Sequence, residues 1–225
     1  MEPVVQFRAA VSLLGRFPAL AGLDFNVAKG EIVLVHGPNG AGKSTLLRTC
    51  AGLVPVVAGE ATVLGHDMRD GAGRRAVRTR VGLLGHATAL YDDLTATENV
   101  RFWAAAAKAT PAEAERALHA LGLDGRLAST PVARLSAGQR RRVSVATVVA
   151  RRPELWLLDE PHAGLDAEGR DVLDHLIAQA ASAGATVVVA SHELERADRI
   201  ASRTVHVSGG VAANPPQQGV KAVVA

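Results

Sequence analysis

The sequence lacks the features of secreted and membrane-spanning chains. It has a single cysteine, Cys50, so an internal disulfide is excluded, and such usage fits a reducing cytoplasm. No apolar run comes near the roughly 18 residues that a membrane-spanning helix needs, and the first ten residues lack the charged-then-apolar layout of a secretory signal. We therefore expect a soluble cytoplasmic protein that meets a membrane only through a partner.

A strong charge of one sign is also missing. Lys and Arg number 25 against 22 Asp and Glu, a formal net charge of +3, and this balance is too small to predict a nucleic-acid partner. What the chain does have is an ordinary globular composition, with 48% hydrophobic and 21% charged residues. Its 225 residues are enough for one large domain or two small ones around a substantial core.

Short apolar runs alternate with helix-competent stretches along most of the chain, which is typical of an α/β domain with a parallel sheet. The predicted strands cover 4–11, 22–27, 31–36, 60–64, 80–84, 155–158 and 185–190. The stretch 95–150 is instead Ala-rich with helical periodicity, and Thr110 is expected to cap a helix there because a proline follows it and Glu113 lies in the first turn. The tail from residue 209 onward is predicted to be a loose end.

A glycine-rich segment follows the apolar run at 31–36. It consists of Gly37, Pro38, Asn39, Gly40, Ala41, Gly42, Lys43 and Ser44, with Thr45 next. This spacing is the P-loop pattern, in which backbone N–H groups turn inward around phosphates. Lys43 is expected to reach the β- and γ-phosphate oxygens, Ser44 to place its hydroxyl on Mg²⁺, and the following helix to offer its positive end. A ligand-free glycine turn is the alternative, which the flanking strand and helix disfavour.

A second apolar run, 155–158, ends in the acids Asp159 and Glu160. A strand that ends this way carries its carboxylates to the carboxyl edge of the sheet, where ligands bind in open α/β folds. Asp159 is expected to hold Mg²⁺ directly or through water, and Glu160 to orient or deprotonate the attacking water. Such an ending is common by itself, and it becomes specific when paired with the P-loop.

Between these two halves, LSAGQ at 135–139 closely resembles the signature motif of ATP-binding-cassette ATPases, usually LSGGQ. The DEP at 159–161 and GLD at 164–166 resemble that family's Walker B acids and D-loop, and the SH at 191–192 resembles its switch histidine. The order and spacing of these motifs agree with the family, and the resemblance covers 4–208.

The resemblance implies an α/β fold: a P-loop NTPase core with a parallel sheet, an antiparallel β subdomain and a helical subdomain. The chain is then a single ATP-binding domain, with a core over 1–91 and 151–208, a helical subdomain over 92–150 and a tail over 209–225. It also implies an ATP hydrolase that uses ATP and Mg²⁺, a second ATP-binding subunit in a head-to-tail dimer, and integral membrane permease subunits. The chain would thus be peripheral at the cytoplasmic face of the cell membrane.

The same resemblance assigns site residues outside the P-loop. Ser136, Gly138 and Gln139 would close over the γ-phosphate held by a second copy, and a helix that opens at Ser136 has free N–H groups suited to an anion. Asp166 of the D-loop belongs to the nucleotide-binding set, and His192 would contact the γ-phosphate. His162, beside the Walker B acids, is given no chemistry.

The arginines at 140–142 and 151–152 are expected to form a solvated face. Arg142 is the exception, because it matches the arginine that usually follows the signature motif.

Two positions depart from the family pattern. His86 occupies the position of a glutamine that usually ends the strand over 81–85. The chain resembles the ATP-binding subunit of the haem exporter in cytochrome c maturation in this histidine, in the LY, LT and EN pairs that follow it, and in Ala137. A neutral imidazole has the acceptor that the glutamine would supply, so His86 is predicted to be catalytic. The second departure concerns the aromatic that stacks on adenine, for which Phe17 and Leu14 are the two candidate positions.

The sequence therefore predicts the nucleotide-binding subunit of an ABC transporter, most similar to those of haem exporters. The junction at 86–103 would grip a cytoplasmic helix of the membrane partner. Two alternatives stay open: an exporter of another small molecule or a lipid, and a membrane-free ABC ATPase.

Overall fold

Within residues 3–213, which the computed structural model describes, the chain forms ten strands and seven α-helices. The strands are β1 (Val5–Leu14), β2 (Phe17–Val27), β3 (Ile32–His36), β4 (Ala58–Val63), β5 (His66–Asp67), β6 (Val81–Leu84), β7 (Leu155–Asp159), β8 (Thr186–Ala190), β9 (Arg203–Ser208) and β10 (Val211–Ala213). The helices are α1 (Lys43–Cys50), α2 (Gly71–Arg78), α3 (Ala96–Ala106), α4 (Pro111–Ala120), α5 (Ala137–Arg151), α6 (Ala167–Ser182) and α7 (Leu194–Ile200), with a 3-10 helix at Val132–Arg134.

The larger sheet has the strand order β10-β9-β3-β8-β7-β6, and all its neighbouring strands are parallel except β10 and β9. Its register places Ala190 level with Val35 on one side and with Asp159 on the other. Because β3, β8, β7 and β6 run the same way, the loops that follow them meet at one edge of the sheet.

The smaller sheet is antiparallel, in the order β2-β1-β4-β5. Its first two strands are longer than the sequence predicts, since β1 continues to Leu14 and β2 begins at Phe17. A bulge lies inside β1, where its pairing with β2 shifts between Phe7 and Ala10 and Ala9 has a φ of 46°. The extra residue interrupts the alternation of buried and exposed positions on which the prediction depends.

Two hydrophobic clusters cover the faces of the parallel sheet. Val33 and Val35 of β3 point into the cluster shared with α1 and the antiparallel sheet, whereas Leu34 points into the cluster beneath the helices. A sheet that is buried on both faces gives continuous apolar strands, as the sequence showed. Cys50 is fully buried in the first cluster, where burial raises the pKa of its thiol.

The Ala-rich stretch forms α3, α4 and α5, which pack on one another. Thr95, Thr110 and Ser136 cap these three helices, each through a reciprocal capping box with the Glu or Gln three residues later. α5 also packs on β6 and α6, so it joins the helices to the sheet. The division at 92–150 remains a prediction.

The end of the described chain differs from the expected loose tail. Val211–Ala213 pairs with β9, because a turn at Gly209 and Gly210, both with positive φ, reverses the chain. The rest of the predicted tail, 214–225, lies outside the described residues. No helix among residues 3–213 has the length and apolar character that crossing a membrane requires.

Candidate functional site

Four predicted motifs meet at the carboxyl edge of the parallel sheet. The P-loop follows β3, Asp159 ends β7 with Glu160 after it, His192 follows β8, and His86 follows β6. Backbone hydrogen bonds fix the first three: Ser191 N donates to Val35 O at 3.2 Å, and Glu160 N donates to Ala190 O at 2.8 Å. The strand order β3-β8-β7-β6 thus sets these motifs side by side.

The P-loop backbone requires glycine at two positions. A Cβ on Gly37 would lie 1.9 Å from Val207 O, and one on Gly42 would lie 2.6 Å from Ala19 O; both residues have positive φ. Lys43 is 8% exposed, and its Nζ donates to the carbonyls of Gly37 and Pro38 at 2.8 and 3.1 Å. The ammonium therefore lies inside the loop, where a phosphate oxygen can exchange for these carbonyls.

The start of α1 is free to receive an anion. Its N-cap is Gly42, no side chain caps it, and its first turn has no acidic residue. The unpaired N–H groups and the helix dipole therefore favour a phosphate there. Of its first residues, Ser44 is exposed, whereas Thr45 is buried.

Mg²⁺ fits the oxygen donors at this edge. Asp159 is 9% exposed at the end of β7, and α1, which carries Ser44 in its first turn, packs against β7. Among the described residues no group of three or more His, Cys, Asp and Glu side chains could hold a metal. A carboxylate and a hydroxyl suit Mg²⁺, which takes its remaining ligands from phosphates and water.

Glu160 and His192 contact each other directly. His192 Nδ1 lies 2.8 Å from Glu160 Oε2, and the hydrogen bond and the charge of Glu160 raise the pKa of His192. Glu160 has a φ of 45°, a left-handed conformation that costs a non-glycine residue about 1–2 kcal/mol. Such strain at a residue with predicted chemistry is typical of functional sites.

His86 begins an exposed loop after β6. The loop is held from the helical side, where Ser144 Oγ donates to Thr88 O at 2.8 Å and the buried Asn99 exchanges hydrogen bonds with the backbone of Tyr91. The loop therefore connects the nucleotide edge of the sheet with α3 and α5.

The signature residues contact the D-loop of the same chain. A Cβ on Gly138 would lie 2.8 Å from Gly164 O, so glycine permits this approach. Arg142 Nη2 donates to both carboxylate oxygens of Asp166 at 2.7 and 2.9 Å and holds the pKa of Asp166 below its usual range. Asp166 also caps α6 through Gly169 N.

Ser136 and Gln139 form the reciprocal capping box of α5, and Ser136 is exposed. Within residues 3–213 no hydrogen bond joins either of them to the P-loop. The exposed helix start is therefore left to a ligand from outside this chain's own P-loop.

The structure brings two residues to the site that sequence reasoning missed. Arg141 is 6% exposed, and its guanidinium donates to backbone carbonyls around Glu160, so the expected solvated face is wrong for this arginine. His162 is 1% exposed, with Nε2 at 2.7 Å from Asp174 Oδ1, and Asp174 is paired in turn with Arg196 of α7. Neither partner is near in sequence, so no local signal reveals these contacts.

The hairpin tip between β1 and β2 carries both candidates for adenine stacking. Phe17 is 80% exposed and Leu14 is 45% exposed. β2 passes over the P-loop, where Ala19 O faces Gly42 and Ala21 N donates to Gly210 O at 2.9 Å. The hairpin therefore reaches outward from the P-loop with Phe17 at its tip.

Comparison with known sequences gives a consistent result. A family model described as ABC transporter matches residues 20–163. The chain is 42% identical over 172 residues to the cytochrome c biogenesis ATP-binding export protein CcmA of Rhodopseudomonas palustris (strain BisB18), covering 76% of this chain and 83% of that protein. It is 43% identical over 187 residues to CcmA of Bordetella bronchiseptica, covering 82% of each. The glutamine transport ATP-binding protein GlnQ of Escherichia coli (strain K12) is 33% identical over 231 residues and 96% of each.

Solved structures agree with the fold. The chain superposes with a TM-score of 0.84 and 26% identity on the dimeric, post-hydrolysis state of the ATP-binding cassette MJ0796 bound to ADP and Pi, over 93% of this chain and 98% of that one. A bacterial Atm1-family ABC exporter with ATP bound matches with a TM-score of 0.84 and 25% identity, over 94% of this chain and 38% of that one. The predicted α/β architecture of an ATP-binding cassette is confirmed.

Proposed function

This chain belongs to the ABC transporter family as an ATP-hydrolysing subunit, and we propose that it powers haem export for cytochrome c biogenesis together with integral membrane subunits. The observation that carries the proposal is the meeting of the P-loop, Asp159, Glu160 and His192 at one sheet edge, in a chain about 40% identical to several CcmA proteins.

ATP would bind with its phosphates in the P-loop. The backbone N–H groups of the P-loop, of which Pro38 has none, would cradle the β- and γ-phosphates, and Lys43 would exchange its two carbonyl acceptors for phosphate oxygens. Bound Mg²⁺ supplies charge neutralisation at these oxygens. Ser44 and Asp159 would hold that ion.

Hydrolysis needs a base for the attacking water, and Glu160 has that role in the proposal. Its carboxylate accepts the water proton, while its partner His192 orients it through Nδ1 and keeps Nε2 for a γ-phosphate oxygen. His86 supplies an acceptor to the metal shell or the water from the next loop.

A second copy would complete the site. Ser136 and Gln139 have no bond to the P-loop within the described chain, and the exposed start of α5 suits the γ-phosphate of a partner. A head-to-tail dimer would then enclose two nucleotides, with Gly138 and Asp166 at the interface. The dimeric MJ0796 cassette supports this arrangement.

The membrane subunit would dock beside the His86 loop. Tyr91, Phe102 and Trp103 form an aromatic cluster. The ring centroid of Phe102 lies 5.1 Å from that of Tyr91 and 5.5 Å from that of Trp103. Tyr91 and Phe102 are each 47% exposed. Exposed aromatics in one patch are typical of contact surfaces, and a partner bound there would hold the chain at the cytoplasmic face of the membrane.

Deletion of the gene for this chain tests the cargo. We expect the loss of haem-stained c-type cytochromes and their recovery with the wild-type gene, but not with Glu160→Gln. Phe102→Asp should also fail to restore them while the purified variant still hydrolyses ATP, because it retains the nucleotide site. Normal c-type cytochromes after the deletion would contradict haem export.

A different cargo is the second candidate, favoured by the match to GlnQ along 96% of both chains. In that case the deletion would leave c-type cytochromes intact and change the transport of another small molecule or a lipid. A membrane-free ABC ATPase predicts neither effect, and it predicts that the chain does not copurify with membrane subunits.

A further inference from the structure

The guanidinium of Arg141 ends among four backbone carbonyls at the nucleotide edge. Nη1 donates to Gly85 O at 2.8 Å, and Nη2 donates to the carbonyls of Asp159 and Glu160 at 2.9 and 2.6 Å. Nε lies 3.4 Å from Pro161 O. A single buried cation from the second turn of α5 thus binds three consecutive peptide groups and the loop before His86.

This contact explains how Glu160 keeps its unusual backbone. The left-handed conformation of Glu160 turns its flanking carbonyls toward one side, where their partial negative charges would repel one another. The positive charge of Arg141 offsets the partial negative charges of these carbonyl oxygens. The N–H of Glu160 is held separately, by its hydrogen bond to Ala190 O of β8. The planar fork of arginine suits this task, since a lysine ammonium is a single point charge.

We propose that Arg141 is a positioning residue for ATP hydrolysis, whose buried guanidinium sets the orientation of the Glu160 carboxylate and ties it to the signature helix α5. The inference rests on the proposed role of Glu160 as the base. Since α5 begins at the signature residues, a shift of this helix moves the peptide groups on both sides of Glu160. The bond to Gly85 O carries the same shift to the His86 loop.

A second arginine of the same helix provides a matched comparison. Arg151 is partly buried, and its Nη2 donates to the carbonyls of Val81 and Arg78 at 3.0 and 3.4 Å. These acceptors lie at the opposite end of β6 from the nucleotide edge. Arg151 therefore anchors α5 by the same type of bond without contact to the predicted site.

The test compares Arg141→Gln, Arg141→Lys and Arg151→Gln in the purified full-length chain with Mg-ATP. We expect Arg141→Gln to lower kcat at least about tenfold while KM and the Kd of a fluorescent ATP analogue change less than about twofold. Arg141→Lys should recover part of kcat. Arg151→Gln should lower Tm by about as much as Arg141→Gln does, but it should leave kcat within about twofold of the wild type.

Coupling to Glu160 is measured by a double-mutant cycle. If Arg141 acts through Glu160, Arg141→Gln should reduce the residual single-turnover rate of Glu160→Gln by less than about twofold. Full additivity, or an Arg141→Gln kcat equal to that of Arg151→Gln, would overturn the inference. If Arg141→Gln does not fold, Arg141→Lys takes its place in the comparison. A kcat of Arg141→Lys below that of Arg151→Gln would support the inference, and an equal kcat would overturn it. A wild-type chain without ATP turnover would instead refute the proposed function.

Discussion

Nδ1 of His192 lies 2.8 Å from Oε2 of Glu160, so the residue proposed to contact the γ-phosphate also binds the proposed base. The hydrogen bond, and secondarily the negative charge of Glu160, raise the pKa of His192 above its ordinary value. The link between the loops after β7 and β8 is therefore strongest when His192 is protonated.

This relationship predicts a pH dependence. In Glu160→Gln the pKa of His192 should fall toward the ordinary value near 6.5, because the variant lacks both the carboxylate acceptor and its charge. With the raised pKa, the small stabilisation from the pair of exposed His192 and partly buried Glu160 is complete below about pH 6.5 and is lost as the pH rises through the raised value. Titration of the His192 ring proton by NMR measures the shift. An equal pKa in both proteins would contradict the contact.

Lys43→Ala should weaken ATP binding by about 10- to 100-fold, the scale of one lost charge-assisted hydrogen bond to phosphate. Lys29→Ala provides the control, because Lys29 is exposed and precedes β3 at the far edge of the sheet. Equilibrium binding of a labelled ATP analogue compares them. Equal affinities of the two variants would refute the phosphate site.

His86 is tested by two substitutions. His86→Gln should keep most ATPase activity because an amide oxygen replaces the ring acceptor, whereas His86→Ala should bind ATP but lose most of the turnover stimulated by the membrane subunits. His119→Ala is the control, since the exposed His119 on α4 pairs only with Asp124 among described residues. ATPase rates of the reconstituted complex decide; wild-type stimulation of His86→Ala would show that the loop works without this ring.

The sequence predicts the residues of the phosphate site because their chemistry is local. The P-loop and the start of α1 are consecutive, and an apolar strand that ends in two acids must carry them to the sheet edge. The parallel sheet and the capped start of α4 are predicted for the same reason, since periodicity and caps are properties of short segments.

Contacts between distant segments were not predictable in this way. The run at 140–142 predicts a solvated face from which only Arg142 is excepted, but successive helical residues point about 100° apart, so Arg141 turns inward while Arg142 reaches Asp166. His162 likewise depends on Asp174, which a helix carries back to it. Leu14 and Phe17, which pair at the hairpin end of β1 and β2, lie outside the predicted strands.

The hairpin tip gives a prediction that separates the two adenine candidates. Phe17→Ala should raise the KM for ATP by about 5- to 150-fold, the scale of one lost base–aromatic stack of about 1–3 kcal/mol, with kcat preserved. Leu14→Ala, on the neighbouring strand, should leave KM nearly unchanged. Steady-state ATPase assays compare the variants, and the reverse pattern would assign the contact to Leu14.

The most direct test of the account is the oligomeric state of Glu160→Gln with Mg-ATP. Loss of the base should slow hydrolysis by about 10²–10⁴-fold, so ATP should persist between the P-loop of one chain and Ser136 of the other. Size-exclusion chromatography with light scattering should show a stable dimer with Mg-ATP, a monomer with ADP, and a monomer for Glu160→Gln combined with Lys43→Ala. A Glu160→Gln protein that stays monomeric at saturating Mg-ATP would contradict the shared nucleotide site.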